Sequence, residues 1–318
     1  MSYYPEVFEK IKEIYEERRK KAEETLDRHM RQVRSIPGME KIEERLGKTG
    51  LLVMEALRKD DGGREFEAVR RENEELVKKR EELLVKNGYP ANYCEPVFLC
   101  PLCGDTGFVY GKACECMKKE LYSAQAALSG LGPLLESQSF ENFETRYYED
   151  RAQAEKIKEF CEEYAENCVG TGRNLMLIGG TGLGKTHLST SIADRVMKKG
   201  GSVVYESAPD VLADFEYERF GKSRTDLSPD STDRYFSADL LIIDDLGCEV
   251  SNQFTTSVLY NLINTRLNHK KAILINTNLS PGKLQERYDN RIVSRLLSSF
   301  QIQELSGKDI RMQKLMGK

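Results

Sequence analysis

No apolar run in this 318-residue chain approaches the roughly 20 residues that span a bilayer, so a transmembrane helix is not expected. The first residues, Met1-Ser2-Tyr3-Tyr4-Pro5-Glu6, lack the basic stretch and apolar core of a signal peptide. The expected location is therefore the cytoplasm, where eight cysteines are better read as thiols or metal ligands than as disulfides. A strong charge of either sign is also missing. A net charge of −4 gives no global nucleic-acid footprint, so any DNA contact has to come from a local patch. Charged residues at 31% and hydrophobic ones at 39% suit a soluble protein with long exposed helices, and the length leaves room for two or three domains.

What is present centres on Gly179-Gly180-Thr181-Gly182-Leu183-Gly184-Lys185-Thr186, which fits G-x-x-x-x-G-K-[ST]. Asn174 to Ile178 ahead of it reads as a buried strand. His187 to Lys199 behind it, with Leu188, Ile192, Ala193 and Val196 at helical spacing, reads as a helix. Backbone amides curled by the glycines, together with the helix N-terminus, make a cradle for phosphate oxygens, and the amide of His187 belongs to the same turn. Lys185 is placed to reach the β- and γ-phosphates and the Thr186 hydroxyl to hold Mg²⁺. The bland alternative is an ordinary Gly-rich turn. Downstream, the apolar run Leu240-Leu241-Ile242-Ile243 delivers Asp244 and Asp245. Two adjacent carboxylates after a buried strand are costly unless something cationic meets them. Magnesium at Asp244 and an attacking water polarised by Asp245 are the natural assignments.

The N-terminal third is different in kind. Residues 6 to 35 read as a charged amphipathic helix stopped at Ile36-Pro37-Gly38. A second helical piece carries Ile42, Leu46 and Leu51 to Leu57 and ends at Asp61-Gly62-Gly63. A third runs from about Arg64 to Lys86. So narrow an apolar face fits either a small solvated bundle or a protein-docking module. Cys100-Pro101-Leu102-Cys103 and Cys114-Glu115-Cys116 then flank a Gly-rich loop, a spacing that can gather four thiolates around Zn²⁺. Cys94 is a possible substitute ligand, and free thiols are the alternative.

Met117 to Leu128 reads as a helix, followed by a polar linker and by Phe140 and Phe143, which are expected to seal one edge of the nucleotide domain. On the helix from Arg151 to Cys168, Cys161 and Cys168 fall on the apolar face and read as core. Residues 206 to 237 mix Leu212, Phe215, Tyr217 and Phe220 with Lys222 and Arg224. Single-stranded DNA could stack there, although a helical insertion packed on the core accounts for the pattern too, since Glu216 and Glu218 share the patch. Ala272 to Asn276 is a further buried strand ending in Asn276-Thr277-Asn278, where an Asn could hydrogen-bond the γ-phosphate or the water, or simply favour a turn. Arg291 and Arg295 lie four apart on a helical face, where an arginine could neutralise transition-state charge across a subunit boundary or simply pair at the surface. Phe300 to Leu305 reads as the last strand.

Strand and helix patterns alternate from about 174 to 305, which predicts an α/β fold: a parallel sheet flanked by helices, with the nucleotide at the strand C-termini. GGTGLGKT, LLIIDDLG, INTNLS and RIVSRL, in that order, resemble an AAA+ ATPase of the DnaC/DnaI/IstB group. CPLC…CEC ahead of SFENF narrows the resemblance to DnaI-type replicative helicase loaders. It implies residues 1–90 as a helicase-docking helical region, 91–135 as a zinc knuckle with a linker helix, and 136–318 as the AAA+ domain. It further implies Walker roles for Lys185, Thr186, Asp244 and Asp245, a sensor role for Asn278, and an arginine-finger role for Arg295, with Arg291 second. ATP, Mg²⁺ and a structural Zn²⁺ are the implied cofactors. The helicase hexamer, single-stranded DNA at 206–237 and further copies of this chain are the implied partners. Asp at 245, where AAA+ proteins commonly carry Glu, suggests slow hydrolysis. A full helical lid has no room, so Arg311 could replace a lid-borne sensor only in part. An IstB-like transposition helper, a small-molecule kinase and a non-catalytic adaptor are the competing readings.

Overall fold

The computed structural model describes residues 5–58, 63–220 and 232–316. The chain divides into two compact units. Lys12–Cys116 forms one, and the chain from Met117 onward, with the residues up to Ile11, forms the other.

The first unit is helical. It contains most of α1 (Pro5–Val33), then α2 (Met39–Gly47), α3 (Thr49–Leu57) and α4 (Arg64–Lys86). The single helix expected over residues 42–57 is in fact two, parted at Lys48, which closes α2 and opens α3. Gly47 and Gly50 on either side of the junction lower the cost of interrupting the helix there. The core is small, as the narrow apolar faces foretold: Val33, Ile36, Met39, Leu84 and Cys94. Arg45 joins α2 to α4 through Glu72 at 2.7 Å, while Leu51, Met54 and Leu57 of α3 stay exposed. A two-stranded hairpin, β1 (Phe108–Val109) and β2 (Lys112–Ala113), closes the unit.

The second unit begins in α5 (Glu115–Leu128), whose first two residues belong to the helical unit. A short α6 (Leu134–Ser137) follows, then α7 (Arg151–Asn167), β3 (Asn174–Gly179), α8 (Lys185–Lys198), β4 (Val203–Ser207), α9 (Ala208–Phe220) and α10 (Asp233–Ser237). Next come β5 (Leu240–Leu246), α11 (Gln253–Asn268), β6 (Ala272–Thr277), α12 (Pro281–Arg287), α13 (Asn290–Ser299), β7 (Phe300–Leu305) and α14 (Ile310–Leu315). Five strands form one parallel sheet in the order β4-β5-β6-β3-β7, the expected α/β architecture.

Strand periodicity sorts the core into two faces. Leu175, Leu177, Leu240, Ile242 and Leu274 meet α7 and α8, including Ile157, Cys161, Leu188 and Ile192. Met176, Ile178, Leu241, Ile243, Ile273 and Ile275 meet α9, α11 and α13 on the other side. Cys161 and Cys168 are fully buried, as expected of core residues. In the 206–237 stretch, Val211, Leu212 and Phe215 pack onto the second face. Phe215 also stacks near Tyr235. The described part is thus a helical insertion on the core, and Lys222 and Arg224 lie outside the described residues.

Arg266 of α11 is fully buried, and its guanidinium donates to the carbonyls of Tyr235 at 2.7 Å and Ala272 at 2.6 Å. It ties the end of α10 to the start of β6, and an apolar replacement strands both carbonyls. Arg266→Leu is expected to lower unfolding free energy by roughly 2–4 kcal/mol, read as a reduced midpoint in urea denaturation.

Candidate functional site

The phosphate loop leaves the C-terminal end of β3, between β6 and the edge strand β7, and enters α8 at Gly184. Two of its glycines are dictated by neighbours. A Cβ on Gly182 would meet the Asp309 carboxylate at 2.0 Å, and one on Gly184 would meet the Tyr148 hydroxyl at 2.8 Å; both residues also hold positive φ. Tyr148 donates to the Leu183 carbonyl at 2.7 Å, and the Ile310 amide to the Gly182 carbonyl at 3.0 Å. The loop is therefore held by residues from far along the chain in both directions.

Lys185 is buried, and its ammonium donates to the carbonyls of Gly179 (2.7 Å) and Gly180 (2.8 Å) and to Asn278 Oδ1 (2.5 Å). Burial holds its pKa below the ordinary lysine value, with Asp244 and Asp245 pulling the other way.

Asp244 continues the face of Leu240 and Ile242, which points it at α8, and Thr186 Oγ1 donates to its Oδ2 at 3.0 Å. Along β5 three steps, Ile243 to Leu246, lie opposite two on β6, Ile275 to Thr277. This bulge, with Asp245 at φ 53°, lets both carboxylates end near the loop instead of on opposite faces. Burial, and then the neighbouring Asp244, raises the Asp245 pKa above the usual carboxylate range. A hydroxyl and a carboxylate beside a phosphate cradle form an all-oxygen donor set, which suits magnesium.

A cavity of about 260 Å³ opens over the loop, lined by Thr181 to His187 with Asp245 and Asn278. Phe143 and Arg311, both singled out in the sequence, complete it together with residues that the sequence gave no reason to select: Tyr147 and Tyr148 beside Phe143 on one flank, Ile310 and Lys314 beside Arg311 on the other. Lys314 reaches Glu144 across the cavity rim at 2.7 Å. Arg311 stands in the lining even though α14 is only six residues long. His187 turns its ring onto the Ser139 carbonyl (2.8 Å) and the edge of Phe143, so its side chain anchors the flank. Phe140 and Phe143 are buried there, sealing this edge as expected.

Two open alternatives are narrowed here. Of the two asparagines at the end of β6, Asn278 lines the cavity, whereas Asn276 is fully buried, and its Nδ2 donates to Ser189 Oγ (2.8 Å) and Asp244 Oδ1 (3.0 Å). The strand alternation that faces Asp244 toward α8 brings Asn276 beside it. Cys94 is packed with Val33, Met39 and Leu84 in the helical core and is not part of the cysteine cluster. Arg291 and Arg295 both lie over the Tyr260 ring, at 5.5 and 4.5 Å. Arg295 also donates to Asn264 Oδ1 and to the Tyr260 hydroxyl, each at 2.9 Å. Neither arginine lines the cavity of its own chain.

In the helical unit, the sulfurs of Cys100, Cys103, Cys114 and Cys116 all lie within 4.8 Å of one another. Cys100 and Cys114 are 3.9 Å apart, Cys103 and Cys116 3.6 Å. A zinc tetrahedron with bonds of about 2.3 Å has edges of about 3.8 Å, so the four thiols fit Zn²⁺. Buried Asp105 shapes the knuckle by accepting from the amides of Leu99 and Cys100, both at 2.8 Å.

Residues 123–315 match the family model described as IstB-like ATP binding protein. The replicative helicase loader DnaC of Escherichia coli (strain K12) is 23% identical over 170 residues, 53% of this chain and 66% of DnaC. The chain thus spans just under two thirds of that relative. The chromosomal replication initiator protein DnaA of Wolinella succinogenes is 31% identical over 156 residues, 47% of this chain and 35% of DnaA. A crystal structure of the DnaC helicase loader aligns with a TM-score of 0.47 at 18% identity, covering 54% of this chain and 98% of that one. With the family match covering more than half of its length and taking in the phosphate loop, the chain belongs to the IstB-like ATP-binding proteins, in the DnaC/DnaI/IstB group of AAA+ ATPases.

Proposed function

We propose that this chain is an ATP-dependent loader of a replicative DNA helicase, a switch that binds Mg-ATP and single-stranded DNA and hydrolyses ATP to release its cargo. The observation that carries the reading is that Lys185, Thr186 and Asp245 line one cavity while Asp244, buried beneath it, accepts from Thr186. The kinship with DnaC supports the cargo. So does a cysteine knuckle that follows a helical region whose apolar residues are partly uncovered.

In this reading Lys185 exchanges the Gly179 and Gly180 carbonyls for phosphate oxygens, regaining charged partners in a pocket that disfavours a lone ammonium. Thr186 and Asp244 hold magnesium, which when bound neutralises charge on the β- and γ-oxygens. Asp245, with its raised pKa, accepts a proton from the attacking water. Asn278, already in contact with Lys185, senses the γ-phosphate. Arg295 of a neighbouring copy completes the site, which makes ATP a link between protomers. Loss of the γ-phosphate contacts then loosens the assembly. The N-terminal helices and knuckle dock the helicase, and the 206–237 insertion meets the single strand.

Lys185→Ala is expected to weaken magnesium-dependent ATP binding about tenfold to a hundredfold, measured by titration with a fluorescent ATP analogue. Unchanged affinity removes the basis of the whole reading. Arg295→Ala should leave ATP binding intact while DNA-stimulated turnover falls about a hundredfold or more; equal turnover ends the trans-acting role. For the knuckle, metal analysis of protein purified under reducing conditions should give about one zinc per chain, lost in Cys103→Ser and kept in Cys94→Ser. Affinity capture with the helicase is the test of cargo, and recovery of a transposase in its place would support the transposition-helper reading.

A further inference from the structure

Asp244 carries more hydrogen bonds than a magnesium-site carboxylate needs. Asn276 Nδ2 (3.0 Å) and the Asp245 amide (2.9 Å) donate to Oδ1. Thr186 Oγ1 (3.0 Å) and the Tyr205 hydroxyl donate to Oδ2. A carboxylate offers about four lone-pair sites, so all of them are taken. Three of these donors have evident purposes. Asn276 and the Asp245 amide fix the plane of the carboxylate from the Oδ1 side. Thr186 is itself a candidate magnesium ligand. Tyr205 is the donor without one.

Its position is well defined. Tyr205 lies on β4, paired with Ile242 of β5, and on the same face as Asp244, which pairs with Ser207 two residues on. Its ring is buried in the core between sheet and α8. Its amide donates to the Ser129 carbonyl at 2.8 Å, and Gly130 is pressed so close that a Cβ there would come within 2.3 Å of the Tyr205 carbonyl. The phenol therefore reaches Asp244 from a backbone that is clamped on its outer side.

We propose that Tyr205 is a positioning residue that restrains magnesium binding, its hydroxyl filling the Asp244 Oδ2 lone pair that a magnesium-bound water would use. Orientation of Asp244 does not depend on it, because the Oδ1 donors supply that. Its effect is to withdraw charge density and one acceptor site from the carboxylate, so that metal entry has to displace the phenol. The consequence is an ATP site that needs a higher magnesium concentration to fill than its Thr-Asp pair alone would set. The inference rests on the reading of this pocket as a Mg-ATP site.

The test is Tyr205→Phe, which keeps the ring and removes only the donor. Binding of a fluorescent ATP analogue is titrated with Mg²⁺, alongside nucleotide affinity in EDTA. The expected result is a half-saturating magnesium concentration about fivefold lower than wild type, with metal-free affinity unchanged. Tyr205→Met, which also lacks the hydroxyl, should shift in the same direction, so an unstable Phe variant does not shield the claim. An equal or higher magnesium requirement in a folded variant overturns it while leaving the Mg-ATP site standing. Nucleotide binding by wild type that ignores magnesium overturns both.

Discussion

A buried carboxylate must be met by donors or by a cation, and Asp244 is where this chain satisfies that demand. Its partners come from four different places: Thr186 at the head of α8, Tyr205 on β4, Asn276 on β6 and the amide of Asp245 beside it. Each of those elements has an apolar reason to be where it is. The strands bury both faces, and α8 packs on one of them. The polar cluster then selects among sheet registers that hydrophobic packing alone would tolerate. Slipping β5 by one residue would aim Asp244 at α11 and α13, away from Thr186, Tyr205 and Asn276.

The phosphate loop depends on the same arrangement through Lys185. Three hydrogen bonds hold its ammonium, two to the loop's own carbonyls and one to Asn278. Those bonds give the loop a defined shape without a ligand. Asp309 and Tyr148, packed against Gly182 and Gly184, give it two further supports. A cradle of this kind loses little conformational entropy on binding, because the ordering cost has been met in folding. Charge balance remains incomplete: burial disfavours the charged form at both Lys185 and Asp245. Phosphate and magnesium together remove that imbalance at both ends.

Local sequence made the two motifs legible because each is contiguous, and its neighbours announce the strand or helix that carries it. Leu240 to Ile243 could be read as buried, and Asp244 then followed. The bulge at Asp244-Asp245 could not be read, since it exists only in the pairing of β5 with β6. Tyr205 was invisible for a related reason: alone it is one more aromatic in a strand, and its purpose comes from a residue 39 positions away. Asn276 and Asn278 share strand parity, so sequence alone could not say which one meets the cavity. Asn276 lies within β6 and is buried, while Asn278 lies just past its end and lines the cavity. Cys94 was open in the same way. Proximity in sequence to Cys100 made it a possible substitute ligand, whereas the turn after α4 carries it into the helical core.

The two units solve the problem of size differently. Five parallel strands with helices on both sides bury enough apolar surface to tolerate an internal polar cluster. The unit Lys12–Cys116 has only a handful of fully buried side chains and leaves Leu51, Met54, Leu57, Leu99, Leu102 and Tyr110 in solvent. Four sulfurs at tetrahedral spacing would, with a metal bound, supply what that core lacks, since metal binding energy adds directly to folding energy. Asp105 ties the knuckle to the loop ahead of it. A unit stapled in this way can keep its apolar side chains outward without collapsing around them. That freedom is what a docking surface requires, and a hydrophobic core of the same size could not provide it.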